Sequence, residues 1–211
     1  MSFYLILAAA TALVIVLIHR QQEPRRPLKE DEIMRFRALA ERVVPDVDPV
    51  AKADFLKQLD HFMAADDGRD IYMLNLLRFH DAVTPGEGID PVIAETPAKA
   101  NAHYEKHVMP IALKRGCFAV FAGSAGEANV MGTEPAAGRY DRVIVMHYPS
   151  RRHFLKLVTD PAYKPLAPYK LLSMHVDLVP LKRDIVVPDF RTLGTGLALI
   201  AFFAIAWLHA L

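Results

Sequence analysis

Cysteine is nearly absent from this sequence, which has one, Cys117, among 211 residues. An intrachain disulfide is therefore excluded, and the place of Cys117 at the start of a predicted strand favours a buried, inert thiol over a nucleophile. Charge of one sign is also lacking, since 25 lysines and arginines balance 24 aspartates and glutamates. These charges are spread along the chain, so the composition argues against a nucleic-acid-binding protein.

Catalytic motifs are missing as well. The segment Gly123-Ser124-Ala125-Gly126 lacks the Gly-Lys-Ser/Thr ending and the following helix of a phosphate loop. The sequence has neither a nucleophile elbow nor a cysteine-pair motif. No reaction class is therefore assigned by motif.

Charged side chains are absent from two stretches, 2–18 and 193–211, one at each end of the chain. As helices rising 1.5 Å per residue they would be about 25–28 Å long, close to the thickness of the bilayer hydrocarbon. The first stretch has no basic start and no small-residue cleavage site after its apolar core, so it does not fit a signal peptide. We therefore predict a transmembrane helix at 2–18 and a second at 193–211, with membrane lipid as a partner.

Basic residues flank both predicted spans on the side of the intervening sequence. These residues are Arg20, Arg25, Arg26, Lys29, Lys182, Arg183 and Arg191. Because basic flanks stay on the cytoplasmic side, the sequence predicts an inner- or plasma-membrane protein with a cytoplasmic core domain and both termini outside.

Between the spans we expect a linker with two amphipathic neck helices, 19–67, a core domain, 68–182, and a second linker, 183–192. The helices are predicted over 29–44 and 49–65, where apolar residues recur at helical spacing. Two interpretations are open: the helices position the core domain over the membrane, or they simply pack onto it.

The core domain alternates strand and helix signals in the order β-α-β-β-α-β. Strands are predicted over 71–79, 117–123 (continued by 127–131), 141–148 and 173–181, and helices over 97–115 and 150–158, with 160–169 irregular. This order predicts the α+β class and a ferredoxin-like domain.

Three segments of this domain carry a resemblance to a known family. They are Tyr-Met-Leu-Asn-Leu-Leu-Arg-Phe at 72–79, Val-Met-His-Tyr-Pro-Ser-Arg-Arg-His-Phe at 145–154 and Val-Thr-Asp-Pro-Ala-Tyr-Lys at 158–164. Together they resemble the uncharacterised family catalogued as domain of unknown function 1330, over about residues 69–182. The resemblance implies a dimeric α/β barrel, in which two four-stranded sheets pack face to face. It implies no catalytic residues, because the family has no established set.

The strand over 71–79 has apolar residues on both faces, so we predict a homodimer through the sheet face that the helices leave open. The segment 80–96 is long for a connection in a compact domain, and it is either a lid or a passive surface loop. If there is a pocket, we expect it between the open sheet face and this segment.

Five polar residues are the candidates for ligand binding: Asn75, Arg78, His103, His107 and His147. Asn75 is a lone amide in an apolar strand, so it contacts either a ligand or a neighbouring backbone group. Arg78 could bind a carboxylate, or it could form a salt bridge with an acid such as Asp81.

The three histidines have ordinary alternatives. His103 and His107 share one helix face, but a third metal ligand is missing and Tyr104 stands where a helical zinc site requires glutamate. His147 could be a general base or a haem ligand, or a core histidine with a satisfied hydrogen bond. We predict no metal and no cofactor.

The sequence therefore predicts a membrane-anchored protein that binds a small, partly apolar ligand or acts as a scaffold. The alternative is a small enzyme of monooxygenase-like or isomerase-like type, and a purely structural subunit of a membrane complex is a third class. Whether the protein is an enzyme is left open at this stage.

Overall fold

The structure is a computed structural model that describes residues 2–20, 26–43, 49–125, 140–182 and 190–210. The chain divides into two compact units. Met1–Pro24 and Arg183–Leu211 form the end unit, and Arg25–Lys182 forms the core unit.

The end unit is an antiparallel pair of helices, α1 (Ser2–Arg20) and α7 (Phe190–Ala210). At one end the ring of Phe3 stacks on His209 at 3.8 Å, and at the other His19 Nε2 lies 3.4 Å from Thr195 Oγ1. Both helices are strongly apolar along their length, as the charge-free stretches predict.

Within the described residues one helix, Arg191–Ala210, has the length and composition needed to cross a membrane. The other apolar helix, Phe3–His19, is shorter, about 26 Å, and falls below the roughly 30 Å of a typical hydrocarbon core. Of the two predicted transmembrane helices, one therefore meets these criteria of length and composition and the other does not.

The core unit is built on a four-stranded antiparallel sheet with the strand order β2-β3-β1-β4. The strands are β1 (Ile71–Phe79), β2 (Phe118–Ser124), β3 (Arg142–Tyr148) and β4 (Met174–Leu181). The chain is thus of the α+β class, and its four strands lie where the sequence predicted them. The predicted continuation of β2 over 127–131 lies outside the described residues.

Burial alternates along β1, which shows that helices cover one face of the sheet. Ile71, Met73, Asn75 and Leu77 are buried, whereas the residues between them are only half-buried. The half-buried face is apolar, so within one chain β1 is only partly withdrawn from water on that side.

Four longer helices accompany the sheet: α2 (Glu30–Val43), α3 (Pro49–Ala64), α4 (Pro97–Lys114) and α5 (Arg151–Val158). Thr96 caps α4, because its hydroxyl accepts a hydrogen bond from the Lys99 N–H at 3.2 Å.

Helices α2 and α3 both contribute to the core of the unit. Their buried residues Phe36, Leu56 and Met63 belong to the same apolar cluster as Ile71 and Leu155. Of the two interpretations for these helices, packing onto the domain is the one that the structure shows.

The segment 160–169 corrects the prediction that it is irregular. It contains a 3₁₀ turn, Lys164–Leu166, followed at once by a short helix, α6 (Ala167–Leu171). Pro165 and Pro168 occupy the first turns of these elements, where the missing N–H of proline has no helical partner to lose. The prolines therefore begin helical turns here instead of preventing them.

A buried ion-pair network joins α2 to α5. The Glu32 carboxylate accepts hydrogen bonds from Arg152 at 3.0 and 3.1 Å and from Arg26 at 2.7 Å. It also accepts the Lys29 backbone N–H at 3.0 Å, which is the reach-back bond of a capping box. These hydrogen bonds, that of Arg152 first, hold the pKa of Glu32 well below its usual range, although burial alone would raise it. Glu32 is therefore ionised at neutral pH.

Candidate functional site

A cavity of about 160 Å³ lies between the covered face of the sheet and helices α4, α5 and α6. Its walls are mainly apolar and include Leu77, Val108, Ile144, Met146 and Phe154. The sequence produces this arrangement because alternate residues of β1 and β3 turn apolar side chains toward the helices. The result is an apolar chamber inside one chain.

A small set of polar side chains also lines the chamber: Asn75, Asn101, Tyr104, Glu105, Tyr163 and Lys170. They come from β1, α4 and the segment around α6, so three separate parts of the core unit meet here. An apolar cavity with a few convergent polar groups is the usual form of a small-molecule site.

Lys170 is the most unusual member of this set. It is buried, its Nζ donates a hydrogen bond to Asn75 Oδ1 at 3.1 Å, and it lies 5.4 Å from the centroid of the Tyr104 ring. Burial lowers the pKa of Lys170 to about 8, and the charge of Glu105 offsets part of that effect. Lys170 is therefore mostly protonated at pH 7 but able to lose its proton in mildly alkaline solution.

Helix α6 holds Lys170 in place through its neighbours. The hydroxyl of Ser173 donates to the carbonyl of Tyr169, and the Tyr169 ring lies 4.5 Å from the ring of His103 on α4. The Tyr169 hydroxyl accepts the Asp90 N–H at 3.1 Å. The lysine thus projects from a helix that is fixed on both sides.

Glu105 is occupied by its own partners. Its carboxylate accepts two hydrogen bonds from Arg142, both at 2.5 Å, and one from Asn101 Nδ2 at 2.7 Å. The hydrogen bonds that Arg142 donates to Glu105 raise the pKa of Arg142 above its usual value, so the guanidinium stays charged. The negative charge of Glu105 is compensated without Lys170.

Two phenols complete the polar lining. The hydroxyls of Tyr104 and Tyr163 lie 3.4 Å apart, and burial raises the pKa of both above the usual value. Both are therefore neutral near pH 7, and one hydroxyl hydrogen of the pair remains available for a further acceptor.

The structure brings only one of the five predicted residues into this cavity. Asn75 lines it, and Asn75 Nδ2 donates to the Met73 carbonyl at 3.0 Å, which is the backbone contact of the two alternatives for Asn75. Arg78 is exposed, and in the described residues no ion pair joins it to Asp81.

His103 and His107 share a face of α4, as their spacing predicts, and their rings lie 4.2 Å apart. Neither lines the cavity. The pKa of His103 is lowered, mainly by partial burial and to a smaller extent by the nearby His107. Among the described residues no group of three potential metal ligands is present.

His147 lies on the other face of the sheet from the cavity, because it pairs in register with Tyr72. It is buried between the rings of Tyr72 and Phe118, and its Nε2 lies 3.5 Å from the Asp70 carboxylate. This environment fits a core histidine. The chamber itself also lies on the opposite side of the sheet from the place where the sequence analysis expected a pocket.

Sequence reasoning missed Lys170, Asn101 and the two tyrosines. A usable signal was the isolated lysine in Leu-Ala-Pro-Tyr-Lys-Leu-Leu at 166–172, a charged residue in an otherwise apolar stretch. Cys117 is fully buried, as expected, and burial raises the pKa of its thiol to about 12.

Comparison with known proteins gives a fold relationship only. No family model and no curated protein matches the chain. The chain is similar to the crystal structure of RPA0582, a protein of unknown function from Rhodopseudomonas palustris, with 26% identity and a TM-score of 0.53 over 63% of this chain and 94% of that one. A crystal structure of methylated RPA0582 gives the same identity and TM-score over 92% of its chain.

Proposed function

We propose that this chain is a membrane-anchored protein whose core domain binds a small, partly apolar molecule in the chamber between the sheet and the helices. The observation that carries the proposal is a mostly apolar cavity that contains a buried lysine. A scaffold gains nothing from such a cavity, because an unfilled core and a desolvated amine both lower the free energy of unfolding. A ligand-binding protein has a use for both features, because the cavity holds an apolar body and the amine contacts a polar group.

We propose that the core domain has the ferredoxin-like architecture. We also propose that it belongs to the family catalogued as domain of unknown function 1330, which its sequence resembles. The strand order β2-β3-β1-β4 and the alternation of strands with helices support the first part. We further propose that the open sheet face packs against a second copy. Leu74, Phe121, Val145 and Val179 share this face by register, and Phe121 and Val179 are exposed in the single chain.

The membrane anchor is proposed from the end unit. The apolar helix Arg191–Ala210 supports it, and the basic residues flanking both apolar stretches support a cytoplasmic core domain. Helix Phe3–His19 is proposed as the second span, since a short span is accommodated by local thinning of the bilayer.

A cavity-filling substitution tests ligand binding. Ala112 lines the chamber and is almost fully buried, whereas Ala102 is exposed on the same helix. The full chain in detergent is screened by thermal shift against a library of small apolar acids, alcohols and carbonyl compounds. Ala112→Leu should abolish the shift given by any binding compound, and Ala102→Leu should leave it unchanged. A library without a single binder, or equal binding by Ala112→Leu, would contradict the proposal.

A second candidate, an isomerase-like enzyme, is favoured by one observation. Lysines whose pKa lies near 7 to 8 serve as general bases, and burial brings Lys170 into that range. Its neutral amine would remove a proton from the carbon beside a bound carbonyl. Deuterium exchange at those positions of cyclohexanone tests this role: catalysis by the wild type but not by Lys170→Met supports it, and equal rates contradict it.

A further inference from the structure

We propose that the ligand is a monocarboxylate with an apolar body about the size of a benzene ring, and that Lys170 supplies its countercharge. This inference rests on the proposed binding function and names the chemical class of the ligand.

The first step is that Lys170 has no anionic partner in the part of the chain that the structure describes. Its contacts among the described residues are an amide oxygen and the face of an aromatic ring, and no carboxylate forms an ion pair with it. Buried lysines are nearly always paired. The nearest carboxylate in the lining, Glu105, is already held by Arg142 and Asn101. The chamber therefore contains one positive charge that is left for a bound anion.

The second step is an unpaired acceptor in the same lining. Asn101 is 4% exposed, and its Oδ1 has no hydrogen-bond partner among the described residues. Its orientation is not arbitrary, because the Glu105 carboxylate can only accept and must face the Asn101 amino group. The side-chain oxygen of Asn101 can therefore accept a hydrogen bond from a ligand, which favours a ligand with a hydroxyl or similar donor group.

The third step is size. A cavity of about 150 Å³ lined by apolar side chains holds one benzene ring, and the chamber here is about 160 Å³. Its remaining walls are aliphatic and aromatic. Benzoate and its hydroxylated forms combine a body of this size with the required negative charge, so they serve as probes of the class.

The test compares benzoate with the neutral benzamide and benzyl alcohol. Affinities are measured by isothermal titration calorimetry on the full chain in detergent at pH 7. We expect benzoate to bind at least tenfold more tightly than either neutral compound. Lys170→Met should remove that preference while the neutral compounds bind as before. Lys106→Met, which changes an exposed lysine of α4, should keep the preference.

The outcomes separate this inference from the proposed function. If the neutral compounds bind as tightly as benzoate, the carboxylate class is wrong and the binding function stands. If Lys170→Met retains the preference for benzoate, Lys170 is not the countercharge. If none of the three compounds binds while the library yields another ligand, the inference fails alone, and failure of the whole library removes the proposed function too.

The three hydroxybenzoates test the role of Asn101. At least one isomer should bind about five- to tenfold more tightly than benzoate, through a hydrogen bond to the unpaired oxygen. Asn101→Leu should abolish that gain, so that in this variant the hydroxybenzoates bind no more tightly than benzoate. If no isomer gains over benzoate, or if the gain survives in Asn101→Leu, the assignment of Asn101 is overturned.

Discussion

Lys170 is a buried charged residue in the proposed ligand site, and its burial is unfavourable for the stability of the core unit. Moving an amine out of water disfavours its charged form, and the contacts of Lys170 among the described residues are a neutral amide and a ring face. Methionine has a similar volume without the charge, so it fits the same space.

We expect Lys170→Met to raise the free energy of unfolding at pH 7 by about 1–2 kcal/mol. The lowered pKa of Lys170, at roughly 1.4 kcal/mol per pKa unit, implies a larger gain. Part of that gain is lost because Asn75 Oδ1 no longer accepts a hydrogen bond from the lysine. The pKa of Lys170 is lowered in the folded state, so the unfolded chain binds more protons between about pH 8 and 10.5. The free energy of unfolding of the wild type should therefore rise with pH over that window. The methionine variant should not show this rise, because it lacks the titrating amine. Urea denaturation of both proteins at pH 7 and 9.5 measures the effect, and a destabilised methionine variant would contradict it.

Binding of benzoate should have the opposite dependence on pH. The carboxylate needs protonated Lys170, so affinity should be constant up to about pH 8 and then fall by up to tenfold per pH unit. The two phenols of the lining stay neutral in this range, because burial raises the pKa values of Tyr104 and Tyr163. Titration calorimetry from pH 6.5 to 9.5 checks the profile, and a flat profile would show that Lys170 does not titrate in the site.

The contrast between Asn75 and Lys170 shows what the sequence could reveal at this scale. An amide inside an apolar strand stands out, because a strand fixes which residues it buries. Lys170 lies beside three prolines in a segment that lacks clear periodicity, so its burial depends on how α6 packs against α4. Such tertiary packing cannot be deduced from the local sequence pattern, so the burial of Lys170 was not predicted.

At the scale of elements, an ion pair as well as apolar packing attaches the first turn of α2 to α5. Glu32 contacts Arg152 across 120 positions of sequence, and Arg152 is 3% exposed. Removing one member of a buried pair leaves the other without compensation, which is costly.

Glu32→Gln should lower the free energy of unfolding by about 2–4 kcal/mol at pH 7. Because the pKa of Glu32 is lowered in the folded state, its contribution is complete above the unfolded pKa near 4.5 and is lost as pH falls further. The difference between wild type and variant should therefore shrink at pH 3. Glu41→Gln is the matched control, since Glu41 is exposed on the same helix and its pair with Arg37 spans 3.8 Å. Equal losses in both variants, measured by urea denaturation, would contradict a special role for Glu32.

Elements with strong local signals were predicted well. Helix α4 begins at Pro97, as predicted, and ends at Lys114, one residue before the predicted end. Helix α6 was missed because the same residue type, proline, favours both irregular structure and the first turn of a helix. The pairing of Glu32 with Arg152 is invisible for a different reason: nothing local links positions so far apart.

At the scale of the whole molecule, the open sheet face of the core unit is the surface that we propose packs against a second copy. Leu74 projects from its centre, whereas Val92 is an exposed apolar residue of the segment 80–96. Leu74→Asp should convert a dimer into a monomer, because a buried carboxylate without a partner is strongly unfavourable. Val92→Asp should not. Sedimentation velocity of the full chain in density-matched detergent checks this, and a wild-type protein that is monomeric at high concentration would refute dimerisation.

Orientation in the membrane is tested with a reporter that is active only in the cytoplasm. If the proposed orientation holds, insertion near Gly86 should give a signal and fusion after Leu211 should give none, because the basic residues flank the two proposed spans on the core-domain side. The same reporter before Ser2 serves as the third position and should also be silent. A reversed pattern would place the core domain outside the cytoplasm.

Helix α6 lies between the chamber and the segment 80–96 and is hydrogen-bonded to that segment. The Leu172 carbonyl, just past its end, accepts the Thr84 N–H at 2.8 Å, and the Tyr169 hydroxyl accepts the Asp90 N–H. A bound molecule that restrains Lys170 would also restrain these two amides, although neither Thr84 nor Asp90 lines the chamber. Their protons should then exchange with solvent deuterium more slowly when the chamber is filled, which makes the segment 80–96 a natural reporter of occupancy.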